Sequence, residues 1–234
     1  MMRYVLTFFI FPILGYSQKQ DFIADYKKIC ENYFNYSSIE VHSTLNMYAG
    51  HEGKELISSS RAVIKIKNKE IHQQIENIIT IVNQSHMIQI DKDDKYIILD
   101  RTPKSYYSNL WSLSLDQNKE MIEDISLIKN TSKEKSYSIN FLYGEVEKSI
   151  ISFNPSTFQL IGLKLFYAME DSYFDDAPER KDKARLEITF EFKPQISSAF
   201  YTIKENPFCT FTADKLLSKA AYKNFEVIDN RIKY

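Results

Sequence analysis

Three aspartates are clustered in one short stretch, Asp91-Lys-Asp-Asp94, and their carboxylates could bind calcium. A calcium-binding helix–loop–helix needs glycine at the sixth loop position and glutamate at the twelfth, because about seven oxygens must converge around a sharp turn. Here the sixth position is Tyr96 and the twelfth is Thr102. The flanking apolar residues alternate as they do in strands, not in helices. We therefore predict a hairpin connection and no calcium site.

A second acidic segment, Glu170–Asp182, also carries carboxylates that could bind a cation. Arg180, Lys181 and Lys183 lie within it or directly after it and offset its charge. Loops of this kind usually run over the protein surface. We predict a solvated connection between two strands.

No catalytic or metal-binding signature is found among the remaining residues. The four histidines lack the spacing of a zinc site. The chain has five glycines, which are too few and too scattered for a glycine-rich phosphate-binding loop. The G-x-S-x-G motif of serine hydrolases does not occur either. We predict no enzymatic activity, no cofactor and no metal. A hydrolase with a triad from distant segments is the alternative, and nothing marks one. The histidines are His42, His51, His72 and His86.

The N-terminus has the pattern of a signal peptide. Arg3 supplies a positive charge, Tyr4–Leu14 is an apolar run, and the small residues Gly15 and Ser17 precede a cut. The run is shorter than the roughly 20 apolar residues of a membrane span. We predict a signal peptide over residues 1–17, cleavage near Ser17, and a periplasmic or secreted product without a transmembrane segment. An uncleaved anchor or a buried first helix is the alternative.

Composition predicts one folded domain over residues 18–234. Hydrophobic residues make up 44% and aromatics 14% of the chain, which is enough for a sizeable core. The net charge is −1 with no long run of one sign, so nucleic acid is not an expected partner.

Export would permit a disulfide between the two cysteines, Cys30 and Cys209. Cys30 also fits the apolar face of a helix, where a buried thiol behaves as a small hydrophobe. Sequence gives no geometry for the pair, so both alternatives stay open.

Apolar periodicity predicts a helix followed mostly by strands. Gln18–Tyr36 has helical spacing, and Asp214–Ala221 and Gln117–Ile125 are predicted to be short helices. Period-two alternation is clearest in Ala184–Lys193, which is typical of an antiparallel strand with one face buried. The other predicted strand regions are Ile39–Tyr48, Glu55–Lys67, Glu70–Arg101, Tyr137–Tyr143, Ser149–Phe153, Gln159–Met169 and Phe225–Ile232.

The order of these elements resembles the LolA-like family of periplasmic lipoprotein carriers and lipoprotein-sorting relatives. The resemblance rests on the signal peptide, the helix Gln18–Tyr36 and the hairpin IEVHSTLNMYAGHEGKELISSSRAVIKIK. It continues through ITIVNQSHMIQIDKDDKYIILD and NPSTFQLIGLKLFY. It implies an α+β fold: a strongly curved antiparallel half-barrel with two or three helices on its open side.

The resemblance also implies a non-catalytic carrier with an apolar groove for lipid acyl chains. Affinity would come from buried apolar area, at about 25 cal/mol per Å². A filled sheet core without a groove is the competing interpretation, and a periplasmic interaction or structural subunit is the alternative function. An envelope protein is then the expected partner. The residues predicted to line the groove are Ile88, Trp111, Phe141, Leu165 and Phe190.

Overall fold

The computed structural model describes residues 11–35, 37–103, 119–172, 181–196, 199–213 and 215–231. Within them the chain forms one α-helix, α1 (Phe11–Asn35), and fourteen strands. Helix α1 begins inside the predicted signal peptide and contains nearly all of the predicted helix Gln18–Tyr36. No helix in the described ranges is long and apolar enough to cross a membrane.

The strands are β1 (Ser38–Ala49), β2 (Leu56–Lys67), β3 (Glu70–Ile75), β4 (Ile78–Val82), β5 (His86–Asp91), β6 (Tyr96–Arg101), β7 (Ile122–Asn130), β8 (Lys135–Phe141), β9 (Val146–Phe153), β10 (Leu160–Ser172), β11 (Lys181–Lys193), β12 (Cys209–Phe211), β13 (Leu216–Ser218) and β14 (Glu226–Asp229).

Twelve of these strands form one sheet in the order β14-β6-β5-β4-β3-β2-β1-β11-β10-β9-β8-β7. Neighbours from β2 to β6 and from β7 to β11 pair antiparallel. Strand β14 instead runs parallel to β6, while β12 and β13 form a separate hairpin. The predicted fold class, an α+β antiparallel sheet with helix, is confirmed.

The chain divides into two compact units, and each unit is made of three segments that are not contiguous in the sequence. Unit 1 comprises Met1–Asn35, Thr44–Ser59 and Trp111–Phe190, and unit 2 comprises Tyr36–Ser43, Ser60–Leu110 and Glu191–Tyr234. The single domain predicted over residues 18–234 stays a prediction.

Unit 1 is built on helix α1 and one face of strands β7 to β9. Phe22 is 1% exposed, and its ring lies 5.1 Å from that of Tyr137 in an edge-on contact. Ile29, two turns later, is also buried. This i, i+7 spacing places both side chains on one stripe of the helix, so burial of that stripe stabilises the helix against the sheet.

Unit 2 has its own closed core. Alternate residues of β4, β5 and β6 share one face, and Ile203, Phe208 and Leu216 from the C-terminal segment pack against it. Because apolar side chains of the C-terminal segment cover this face of the sheet, the strands need no further packing partner on it. The strand residues in the cluster are Ile79, Ile81, Ile88, Ile90, Ile97 and Leu99.

The aspartate stretch is a hairpin turn, as predicted. Asp91, the last residue of β5, pairs with Tyr96, the first residue of β6. The Oδ1 atom of Asp91 accepts hydrogen bonds from the backbone N–H groups of Asp93 and Asp94, both at 2.9 Å. A short acidic side chain stabilises a turn in this way by replacing a backbone acceptor. The carboxylate of Asp91 therefore stabilises the turn through these two hydrogen bonds.

Two helix predictions are wrong. Asp214–Ala221 contains β13, in which Leu216 is buried and Leu217 is exposed. This alternation is that of a strand, and the segment forms one because it pairs with β12. The described residues of Gln117–Ile125 form a 3₁₀ turn, Lys119–Met121, followed directly by β7. Pairing with β8 outweighs local helix propensity there. The described residues therefore contain one α-helix where two or three were predicted.

Candidate ligand-binding pocket

One row of side chains runs across five strands of unit 1. Ile125 pairs with Ile139, Ile139 with Ser149, and Ser149 with Leu165; Leu186 continues the row opposite Leu165. Directly opposed residues project to the same face of a sheet. Ser149 is thus the one polar member of an otherwise apolar row.

A cavity of about 320 Å³ is lined by two members of this row, Ser149 and Leu165. Its size lies at the lower limit of ligand pockets, roughly 300–1,000 Å³. Apolar side chains dominate its wall because β8, β9 and β10 present inward positions there. The lining residues are Met121, Phe141, Tyr143, Gly144, Glu145, Val146, Ser149 and Leu165.

The β8–β9 turn forms the rim of the pocket. Gly144 has a φ of 120°, which an L side chain rarely adopts, and a Cβ placed on it would lie 3.3 Å from Met121 Cε. Tyr143 is 60% exposed. The N–H of Leu142 donates to the carbonyl of Met121 over 2.8 Å, so the rim is tied to the 3₁₀ turn that precedes β7.

Ser149 carries the buried polar atom of the pocket. It is 1% exposed, and among the described residues its Oγ has no hydrogen-bond partner. A buried hydroxyl without a partner costs free energy that a hydrogen-bonded hydroxyl avoids. Glu145, at the exposed turn, is the one carboxylate in the described part of the lining.

The five predicted groove residues do not all lie in this pocket. Phe141 and Leu165 both line it. Ile88 is fully buried in the core of unit 2, and Phe190, half-buried near the end of β11, is not among the lining residues. Trp111 lies outside the described residues. Sequence reasoning missed Met121, Val146 and Ser149.

A signal for Ser149 was present in the sequence. Along β9, Ser149, Ile151 and Phe153 are buried while the intervening residues are partly exposed. Ser149 therefore stands in phase with two inward apolar residues, and period-two alternation alone places it on the inner face.

The described residues contain no group of three His, Cys, Asp or Glu side chains that could hold a metal ion. Of the acidic segment Glu170–Asp182, residues 173–180 lie outside the description. His51 Nε2 lies 2.9 Å from the carbonyl oxygen of Tyr167, and the His86 ring contacts Phe211. These two histidines have local structural partners.

Charged groups are buried in unit 2. Glu40, Lys65 and His72 are each less than a tenth exposed. His42 Nε2 lies 2.5 Å from Glu40 Oε1, and Lys65 Nζ donates to the carbonyl of Ala199 over 2.6 Å. Burial, reinforced by the nearby Lys65, lowers the pKa of His72 to about 4. Two cavities in the described part of unit 2, one beside Asn83 and Ser85 and one beside His86 and Phe211, are not lined by these residues.

Cys30 is half-buried on α1, and Cys209 is buried on β12. Burial raises the pKa of the Cys209 thiol to about 11, which keeps the thiol protonated and unreactive at neutral pH. The disulfide considered from the sequence stays untested.

Sequence comparison finds no matching family model and no matching curated protein. Among solved structures, an uncharacterized conserved protein from Thermus thermophilus matches with a TM-score of 0.47 at 6% identity, covering 90% of this chain and 99% of that chain. Mycobacterium tuberculosis lipoprotein LppX matches at 0.40 and 6%, covering 72% and 92%. A LolA superfamily protein from Nitrosomonas europaea matches at 0.32 and 13%, covering 75% and 94%. A LolA superfamily protein is thus among the solved structures to which this chain is similar, and membership of the LolA-like family stays a prediction.

Proposed function

We propose that this chain is an exported, non-catalytic binding protein that holds a single acyl chain or a similar apolar group in the pocket of unit 1. The observation that carries the proposal is the apolar cavity of about 320 Å³ between Phe141 and Leu165. Removing apolar ligand surface from water into such a cavity supplies about 25 cal/mol per Å².

The pocket favours one chain over a bulky ligand. Its volume is near the lower limit for ligand sites, and its wall is made by side chains from three paired strands with fixed register. A preformed cavity of this kind binds without the cost of ordering the protein first.

Filling the cavity tests the proposal. In the Leu165→Trp variant the larger ring occupies the space, and we expect at least a tenfold weaker affinity for a fluorescent fatty-acid probe. Met169→Trp is the matched control: Met169 lies on the same strand, is 71% exposed, and does not line the cavity. Equal affinity of the wild type and Leu165→Trp for the probe would show that the ligand does not bind in this pocket.

An interaction subunit is the second candidate function. Leu142 and Tyr143 expose apolar surface on the β8–β9 turn, and the N–H of Ala168 donates to the carbonyl of Glu145, which places β10 beside that turn. Exposed apolar residues in proximity favour a partner surface. Wild-type protein that binds no apolar probe, yet forms a stable complex with an envelope protein that Tyr143→Ser disrupts, would establish this function instead.

Export has its own test. Mass spectrometry of the protein recovered outside the cytoplasm should show a mature N-terminus at Gln18. A full-length mass from Met1 would contradict cleavage near Ser17.

A further inference from the structure

We infer that the pocket selects ligands bearing a neutral oxygen within the apolar chain, such as an ester or a hydroxyl, and that Ser149 is the residue that recognises it. The inference rests on the proposed function of the pocket and goes beyond it, since it assigns a chemical class to the ligand. Ser149 is a specificity-determining residue here and takes no part in catalysis.

The position of Ser149 in the sheet supports this role. It lies between Ile139 on β8 and Leu165 on β10, the two residues directly opposite it. Ile139 is fully buried, and Leu165 lines the same cavity as Ser149. Valine or alanine would satisfy this apolar row without a buried polar atom, so packing gives no reason for a serine.

The state of the hydroxyl points to a ligand. The described residues supply no partner for Ser149 Oγ, although two other serines of β8 and β9, Ser136 and Ser152, pair with each other at 2.8 Å. Buried polar groups in proteins nearly always have a partner. A ligand oxygen in the cavity would supply the missing one.

The charges around the pocket indicate a neutral oxygen. Within the described part of the chain no cationic side chain lines the cavity, and Glu145 stands at the rim. A carboxylate beside Ser149 would be buried without a counter-charge, which is unfavourable by several kcal/mol. An ester carbonyl or a hydroxyl meets Ser149 with one hydrogen bond and no such penalty.

Two ligands of matched length separate the inference from the proposed function. The full chain is titrated with methyl heptanoate and with n-nonane, which both have nine chain atoms, using wild type, Ser149→Ala and the control Ser152→Ala. We expect the ratio of ester affinity to alkane affinity to be about fivefold higher in wild type and the control than in Ser149→Ala, the effect of one net hydrogen bond. Ser149→Ala is expected to bind the alkane as wild type does and the ester about fivefold more weakly than wild type does.

Each other outcome overturns the inference in a distinct way. If Ser149→Ala binds each ligand with the wild-type affinity, Ser149 has no recognition role, but the pocket remains an apolar site. If wild type binds neither ligand, the proposed function fails as well.

A stability measurement adds an independent readout. Without ligand, Ser149→Ala should unfold at a higher temperature than wild type, because the substitution removes an unpaired buried hydroxyl. A lower unfolding temperature would show that the hydroxyl already has a partner, such as a bound water, and would overturn the inference.

Discussion

The phenol of Tyr137 donates a hydrogen bond of 2.9 Å to Asp25 Oδ2. Lys135 Nζ lies 2.5 Å from the same carboxylate oxygen. One acidic side chain on α1 therefore receives two groups from β8, and the Tyr137 ring below them is fully buried. Burial and the neighbouring Asp25 raise the pKa of Tyr137 to about 12, so the phenol stays protonated and keeps donating.

Replacement of Asp25 by alanine should loosen the helix from the sheet. The Tyr137 hydroxyl and the Lys135 ammonium would both lose their acceptor in a part-buried site, which costs roughly 1–3 kcal/mol in the free energy of unfolding. Urea denaturation measures the loss. Asp21→Ala, on an exposed position of the same helix, is the control and should change stability little. Equal effects of the two substitutions would contradict the role assigned to Asp25.

Gly53 should tolerate no side chain. A Cβ at this position would stand 1.8 Å from the carbonyl oxygen of Ala49, a backbone atom that cannot rotate away. We expect Gly53→Ala to destabilise the protein by about 2–4 kcal/mol, in the range of substitutions that force backbone strain. Gly162→Ala is the matched comparison because its Cβ would lie 3.3 Å from the carbonyl oxygen of Ile188. Thermal unfolding of the two variants should rank Gly53→Ala well below Gly162→Ala.

Arg185 should hold the same turn from the other side. Its Nη2 donates to the carbonyl of Gly53 over 3.0 Å and its Nη1 to that of Gly50 over 3.3 Å. Lysine carries the charge but lacks the planar fork that reaches several acceptors together. We expect Arg185→Lys to lower the free energy of unfolding by about 1–2 kcal/mol. Lys181→Ala, exposed on the same strand, should have no measurable effect.

Acid should weaken the fold through His72. Its folded pKa of about 4 lies below the ordinary value near 6.5, so the unfolded chain binds more protons between these values. The contribution is fully present above pH 6.5 and is lost as the pH falls towards 4; its upper bound is roughly 3 kcal/mol.

Chemical denaturation at pH 7.5 and pH 5.0 checks this dependence. His72→Gln should unfold with a smaller difference between the two pH values than wild type. Gln73→Asn alters the neighbouring side chain without changing a titratable group and should retain the wild-type difference. An unchanged difference in His72→Gln would assign the acid sensitivity to other groups.

Thiol chemistry should distinguish the two cysteines. Cys209 is buried with a pKa of about 11, so iodoacetamide at pH 7.5 should modify it far more slowly than the half-buried Cys30. In urea without reductant, a thiol assay should count two thiols for each chain. A count of zero would show the Cys30–Cys209 disulfide that export permits.

The strands and the first helix were predictable because their apolar periods are local. Leu186, Ile188, Phe190 and Phe192 alternate within β11, and no knowledge of distant residues is needed to place them. The Asp91 turn was predictable for the same reason. The short helices were not, since Leu216 alternates as a strand only in the presence of β12.

The site was predictable only in part, because its formation depends on residues far apart in sequence. Ile88 and Phe141 both occupy inward strand positions. Ile88 is covered by Ile203 and Phe208 from the C-terminal segment, whereas Phe141 lies at the end of β8, beside the open cavity. Nothing local to either strand encodes that difference.

The parallel pairing of β14 with β6 also affects how the protein is made. About half of the chain is synthesised between these two strands, so during translation β6 presents an unpaired backbone edge until Glu226–Asp229 emerges. An open edge of Ile97, Ile98 and Leu99 is a template for association between nascent chains. Strand β14 thus covers the free edge of β6, and premature termination before β14 should yield aggregates instead of a smaller soluble protein.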